Sequence, residues 1–332
     1  MKLPSFSLVI ETANLSVADL EGLREGLASL AAQTVPVQSA VEAFIVDSGD
    51  VPPDVLDRML GEFPWVHDMR LPPGTGYEEL KMEGAKASTG EVVVFADGDC
   101  KYEPQWLETL LTPFLDPTMM IVGGETTIDN RGSYALGVSV AYSFSDRART
   151  SELYETNRYH LNSVAFRRSV LEKVPIPSRR PCYRMTNLHV AELQAVGYKI
   201  YRAPKARARH AAPNGLTHFV WRSLLLGYDG VAVPRIIAQE VPSARQKQTQ
   251  RRRTFGLMGY WTKETARKLA AEVRRDPSRI LSLPIAVPVI LSTAALQVVG
   301  AVAAVVAPDR LLSAVPEEII SSSTCQPRRR VA

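Results

Sequence analysis

Cysteine is nearly missing from this chain: Cys100, Cys182 and Cys325 are the three it has. Their spacing offers no C-x-x-C pair and no even-numbered set, which excludes a thiolate zinc ribbon, a thioredoxin-type redox pair and a disulfide-stapled scaffold. A reducing compartment follows as the default. The composition also lacks any strong bias. With 45% apolar and 22% charged residues among 332, a disordered chain, a collagen-like repeat and a polytopic membrane protein are excluded. Met1-Lys2-Leu3-Pro4 runs directly into the apolar stretch Phe6 to Ile10, which lacks the length and cleavage site of a signal peptide. This segment is expected to remain and to form a strand. Aromatic residues interleaved with basic ones are few and no nucleic-acid-binding fold is recognisable, so no nucleic-acid partner is expected.

Net charge is small, +4, but unevenly spread. Residues 245–279 hold eleven Lys/Arg against three Asp/Glu, a net of +8, which leaves −4 for the rest. A local anionic partner is implied, either membrane or nucleic acid, and the scarcity of interleaved aromatics disfavours the second. The same region leads into Ile280 to Pro308, 29 residues without a charge. As one helix it would measure roughly 43 Å, against about 30 Å of hydrocarbon. Pro284, Pro288, Gln297 and Gly300 interrupt it. A tilted span, a kinked re-entrant hairpin and a docked pair of apolar helices all satisfy the pattern. The basic flank favours membrane contact on the cytoplasmic face.

Before that region the pattern alternates strand and helix. Strands are expected at Phe6–Ile10, Ala43–Val46, Val66–Arg70, Glu91–Ala96 and 119–123. Helices are expected at 17–33, capped by Ser16 with Asp19, and at 54–63, 78–88 and from Pro104 through Trp106, Leu107, Leu110 and Leu111. The run Val92-Val93-Val94-Phe95-Ala96 has little alternation, as a strand covered on both faces requires. The fold class is α/β. Its parallel strands deliver their C-terminal ends to one edge, where ligands of open sheets bind. Further on, a helix over 134–152, a short segment at 160–166, a helix near 186–196 and a strand Tyr198–Tyr201 ended by Pro204 are expected. Pro213 to Gly230 is read either as a hinged lid with Gly215 and Gly230 or as core packing around Phe219 and Trp221.

Three expected strand ends are polar and largely acidic: Glu11 to Asn14, Asp47 to Asp50, and Asp97-Gly98-Asp99. Asp-Gly-Asp alone is usually a turn. At the end of a parallel strand, two carboxylates can share a hard divalent cation with a diphosphate, and glycine between them lets the backbone approach the phosphates.

At this point the sequence resembles glycosyltransferase family 2, the inverting nucleotide-sugar transferases of GT-A fold. The likeness covers roughly residues 5–230. It is carried in order by Leu8 to Asn14, Leu27 to Gln33, Glu42 to Asp50, Lys81 to Gly84, Ala87 to Glu91, Asp97-Gly98-Asp99, Pro104 with Trp106 to Glu108, Asn162 to Arg168, and Gly197 to Ile200 through Pro204 to His210. It implies a GT-A (Rossmann-like), mostly parallel sheet flanked by helices and a hexosyltransferase-type enzyme. The expected partners are a UDP- or GDP-sugar donor and a glycan or lipid-linked acceptor. Asp99 and His210 are implied on Mn²⁺ or Mg²⁺, Asp97 near ribose and metal, Thr12 in the nucleotide-contacting turn, and Asp47 at the base or ribose.

The sequence departs from the family in four places. Lys81 stands where arginine is usual and is expected to face the diphosphate or, failing that, solvent. Glu11 and Ala13 replace the usual proline and tyrosine, and the Glu11 carboxylate is read as an acceptor for uracil or guanine donors. The acidic pair that supplies the base falls on Met185-Thr186. Glu125 and His189 are therefore the candidate proton acceptors. The missing pair also motivates a second reading, an inactive relative acting as a binding scaffold. The expected organisation is a GT-A domain over 1–240, a basic amphipathic segment over 241–279, the hydrophobic segment 280–308 and a tail over 309–332.

Overall fold

The computed structural model describes residues 2–12, 20–129, 131–142, 148, 150–178, 185–213, 215–241 and 254–314. Ala13, Asn14, the Ser16/Asp19 cap, Cys182, Cys325 and Arg251 to Arg253 lie outside the described residues. The first half runs β1 (Phe6–Glu11), α1 (Leu20–Ala31), β2 (Glu42–Asp47), α2 (Pro53–Glu62), β3 (His67–Arg70), α3 (Tyr77–Ala87) and β4 (Val92–Asp97). Each lies within about three residues of its expected bounds. β1 pairs in parallel with β2 and β4, and β2 with β3. Every residue of β1 and β4 is buried. The pleat sends successive side chains to opposite faces, so Leu8, Ile10, Val92, Val94 and Ala96 join the core beneath α1 and α2. Val9, Val93 and Phe95 join a second core on the other side, with Leu80 of α3. Two covered faces account for the unbroken valine run.

The second half holds β5 (Cys100–Tyr102), α4 (Trp106–Leu111), β6 (Ile121–Ile128), α5 (Ser133–Ala141), β7 (Tyr154–Thr156), β8 (Ser163–Arg167), α6 (Arg168–Lys173), α7 (Met185–Ala195), β9 (Ile200–His210) and α8 (Leu216–Glu240). The sheet order is β3-β2-β1-β4-β8-β6-β9-β5, with β7 also on β9. Beyond β4 the sheet is mixed. β8 runs antiparallel to β4 and β6, β5 and β7 run antiparallel to β9, and β6 runs parallel to β9.

Three expectations need correction. The helix placed over 134–152 stops at Ala141, where Tyr142 turns extended, and Tyr154–Thr156 pairs as a strand with β9. Pro204 does not end its strand, which continues to His210. Partners along β6 jump from Gly123 with Arg202 to Glu125 with Arg207, and Pro204, which has no N–H to donate, sits within that bulge. Pro213 to Gly230 is no hinged lid. It opens α8, a 25-residue helix whose Phe219 packs with Ile128, Leu136, Ala286 and Ile290.

The basic segment forms a helix, Thr254–Arg275, and a short 3₁₀ turn at Pro277–Ser282 leads into a 24-residue helix, Leu283–Val306. The hairpin and the helix pair are thereby excluded. Pro284 lies in the first turn, and Pro288 removes a single early backbone bond, which a long helix tolerates. This stretch is long and apolar enough to cross a membrane, judged by length and composition alone. It lies against α5 and α8.

Candidate active site

The parallel register of β1 and β4 sets Glu11 beside Asp97 at the sheet's C-terminal rim. The amide of Gly98 then donates to the Glu11 carbonyl at 2.9 Å, which ties the turn to the neighbouring strand. Helix α1 crosses this turn so closely that a Cβ at Gly26 would lie 2.7 Å from the Gly98 carbonyl oxygen. After the turn, β5 pairs with the end of β9 and brings Cys100 opposite His210. Residues more than 100 apart in sequence thus converge at one point.

Asp97 is buried and heavily coordinated. Lys81 Nζ donates to its Oδ1 at 2.6 Å and to the Ala96 carbonyl at 2.7 Å, and the Tyr77 hydroxyl donates to it at 3.2 Å. Its backbone amide donates to the Tyr102 hydroxyl at 2.8 Å. Burial, and then the Asp97 charge, push the Glu11 carboxyl well above the usual carboxylate range. In its neutral form Glu11 hydrogen-bonds the Asp97 side chain. Two expectations change here. Glu11 is fully buried and turned toward Asp97, so it is not an open acceptor for a base edge. Lys81 is also fully buried, neither solvated nor facing an open diphosphate site, and its charge is committed to Asp97.

Asp99 and His210 meet on the other side of the turn, with Nε2 3.3 Å from Oδ2. His210 Nδ1 lies 2.6 Å from the Ala211 carbonyl. A carbonyl only accepts, so Nδ1 carries a proton and Nε2 is the nitrogen turned to Asp99. At 3.3 Å from Oδ2, Nε2 pairs with the carboxylate when it carries a proton and, without one, offers a lone pair that a cation shared with Asp99 would use. The second-nitrogen bond to a backbone carbonyl is also the one that orients metal-bound histidines. Ligand atoms of Asp97, Asp99, Cys100 and His210 all lie within 4.8 Å of one another. Hard carboxylate oxygens with an imidazole fit a divalent ion such as Mn²⁺ or Mg²⁺. Cys100 was not anticipated in this group. Its thiol is buried, raised well above its ordinary pKa by desolvation, and 3.7 Å from Asp99 Oδ1. Only its adjacency to Asp-Gly-Asp pointed here. A cleft beside Asp99 and His210 is lined further by Tyr142, His218 and Arg222, the last two from α8.

Thr12 and Asp47 form a second corner of the rim. The Thr12 hydroxyl donates to Asp47 Oδ1 at 2.6 Å, Gly49 N donates to Oδ2 at 2.8 Å and Val51 N to Oδ1 at 3.1 Å. Asp47 therefore folds its own loop. Asp50 in that loop, desolvated by burial, is raised to about 6.

The candidate bases part company. His189 is fully buried in the second core. Its Nδ1 accepts from the Tyr159 hydroxyl at 2.6 Å and its Nε2 donates to the Val174 carbonyl at 2.8 Å. Desolvation lowers it to about 4. With both nitrogens spent, it has no access to an acceptor hydroxyl, and the base assignment is withdrawn. Glu125 is buried on β6 and accepts from the Ala148 amide at 2.9 Å, three residues before Ile128 of the cleft. Met185 opens α7 and is buried, so no carboxylate stands at Met185-Thr186. Sequence reasoning passed over Glu78, a buried acid at the start of α3, raised to about 8 by burial and by Asp229 of α8.

A family model described as Glycosyl transferase family 2 matches residues 7–175. Glycosyltransferase AglE of Haloferax volcanii is 26% identical over 183 residues, 53% of this chain and 57% of that protein. Glucosyl-dolichyl phosphate glucuronosyltransferase of the same organism is 30% identical over 118 residues, 34% of this chain and 36% of that one. The chain thus spans little more than half the length of these curated relatives at most. Among solved structures, the mannosyltransferase PcManGT from Pyrobaculum calidifontis, in complex with GDP-Man and Mn²⁺, superposes with a TM-score of 0.51 at 19% identity, covering 97% of this chain and 86% of that one. This is a likeness of fold.

Proposed function

The chain belongs to glycosyl transferase family 2, and from that premise we propose that it transfers a sugar from a UDP- or GDP-sugar to an acceptor hydroxyl, with inversion, at the cytoplasmic face of a membrane. The observation that carries this reading is the convergence of Asp97, Asp99 and His210 at the C-terminal end of β4. A divalent cation held there would offset the charge of the departing diphosphate. Asp99 and His210 would hold it, and Asp97, fixed by Lys81 and Tyr77, would lie nearest the ribose. Thr12 and Asp47 shape the loop against which the nucleoside rests. In the transfer, the acceptor oxygen bonds the anomeric carbon as the bond to the diphosphate breaks on the opposite face. The hydroxyl proton leaves to a carboxylate, for which Glu125 is the remaining candidate.

A membrane-borne glycan or lipid-linked acceptor is supported by the apolar Leu283–Val306 helix beside α8, whose His218 and Arg222 line the cleft. The name of one relative, glucosyl-dolichyl phosphate glucuronosyltransferase, points the same way. The scaffold reading keeps one observation in its favour, the buried Met185 where the family carries an acid. Screening UDP- and GDP-sugars for Mn²⁺-dependent thermal stabilisation, then assaying transfer, separates the two. Stabilisation with turnover, both lost in Asp99→Asn, supports the enzyme; stabilisation without turnover on any glycan or lipid-linked acceptor favours the scaffold. Metal-dependent transfer that survives Asp99→Asn would remove the site.

A further inference from the structure

We infer that the apolar helix Leu283–Val306 lies in the plane of one membrane leaflet and does not cross the bilayer. The inference rests on the membrane reading above and adds its geometry. One stripe of the helix is buried against the protein over almost its whole length: Ala286, Ile290, Thr293, Gly300 and Ala304. From 286 to 304 the contact runs about 27 Å at 1.5 Å per residue, close to the thickness of the hydrocarbon core. The contact is backbone to backbone. A Cβ at Gly300 would stand 1.9 Å from the Leu224 carbonyl oxygen, and one at Gly227 would stand 1.9 Å from that of Gln297. Toward its far end, the Ala304 carbonyl accepts from Arg235 at 3.3 Å.

What the helix is fastened to decides the geometry. Helix α8 carries Arg222 and Asp229, both buried, together with Arg235. Helix α5 follows directly from the sheet. A perpendicular span would draw these charged groups and the sheet edge into the hydrocarbon, which is costly for charged side chains. Lying flat, the helix keeps them on the aqueous side.

The opposite stripe is apolar and open. Leu281 is 85% exposed, and Ile285, Leu291, Val298, Val302 and Val305 are each more than half exposed. Mean hydropathy in the apolar window is 2.3. Arg274 and Arg275 precede this surface and Arg310 follows it, all exposed, where they meet anionic headgroups at both ends. An apolar face with cationic ends matches a leaflet of acyl chains beneath acidic headgroups.

The test uses the full chain with Cys182→Ser and Cys325→Ser, bearing one spin label at a time at Ile285→Cys, Leu291→Cys, Val298→Cys or Val305→Cys. Each variant is bound to vesicles of phosphatidylcholine with 30% phosphatidylglycerol, and melting curves confirm folding. Depth is read from collision with oxygen against a water-soluble nickel chelate. An in-plane helix gives four depths within about 5 Å of one another, at about 5–10 Å below the headgroups. A spanning helix gives a profile that deepens by about 15 Å toward Leu291 and Val298 and shallows again at the ends, which overturns the inference while leaving membrane association intact. Absence of vesicle binding overturns both, and so do four labels that remain in water.

Discussion

His189 offers a sharp check on the reasoning, because its burial makes a signed claim about pH. Both ring nitrogens are satisfied in the neutral form, Nδ1 by the Tyr159 hydroxyl and Nε2–H by the Val174 carbonyl. Burial lowers the imidazole from 6.5 to about 4. The unfolded chain takes up a proton near pH 6.5 while the folded chain refuses it until about 4. The stability His189 contributes is therefore complete above pH 6.5, declines between 6.5 and 4, and levels off below. At about 1.4 kcal/mol per pH unit, the interval amounts to about 3 kcal/mol. His189→Gln removes the titration and retains a donor for Val174, at the expense of the Tyr159 bond, worth about 1 kcal/mol. Urea unfolding of both proteins at pH 7.5, 6, 5 and 4 is the assay. Carboxylates common to both cancel in the difference. The wild type should be the more stable protein by about 1 kcal/mol at pH 7.5, and the difference should move by about 3 kcal/mol by pH 4, which reverses its sign. A gap that stays constant with pH would refute the buried neutral imidazole and reopen its use as a base.

Removing the buried cation in Lys81→Met leaves Asp97 and Glu11 without compensation and should cost about 3–5 kcal/mol in chemical denaturation; a loss under 1 kcal/mol would show that the ion pair does not form. Gly300→Val forces a side chain into the Leu224 carbonyl and should destabilise by about 1–3 kcal/mol or more, with faster proteolysis between α8 and the apolar helix; an unchanged melting temperature would contradict that contact. Glu125→Gln keeps an oxygen for the Ala148 amide, so folding and Mn²⁺-dependent stabilisation should persist while kcat falls about 10²- to 10⁴-fold. Full turnover in this variant would end the assignment of Glu125 as proton acceptor.

How much of this was legible depended on the range of the interactions involved. The parallel half was readable because valine runs, Pro104 and the acidic strand ends are local signals of covered strands and their loops. Asp97, Asp99 and His210 came together as the family resemblance implied. The partners of each group were not readable. Lys81 is separated from Asp97 by sixteen residues, and only helix α3 settling on the sheet shows that its charge is buried. Glu11 depends on strand register for its neighbour. Cys100 needed the β5–β9 pairing, which joins segments 110 residues apart. Met185 and Thr186 carry no carboxylate, and His189, on the same helix, faces inward because α7 turns that side toward Tyr159 and Phe166.

The irregular stretch around Pro204 has a consequence at some distance from it. Between the two regular parts of the β6–β9 ladder, β6 advances two residues while β9 advances five. The surplus is three, an odd number, and side chains on a strand change sides at every step. The second part of β9 is therefore of opposite parity to the first, and this parity decides whether residue 210 looks toward Asp99 or away. Deleting one residue near Pro204 would leave every metal-site residue in the sequence and still point the imidazole to the wrong face.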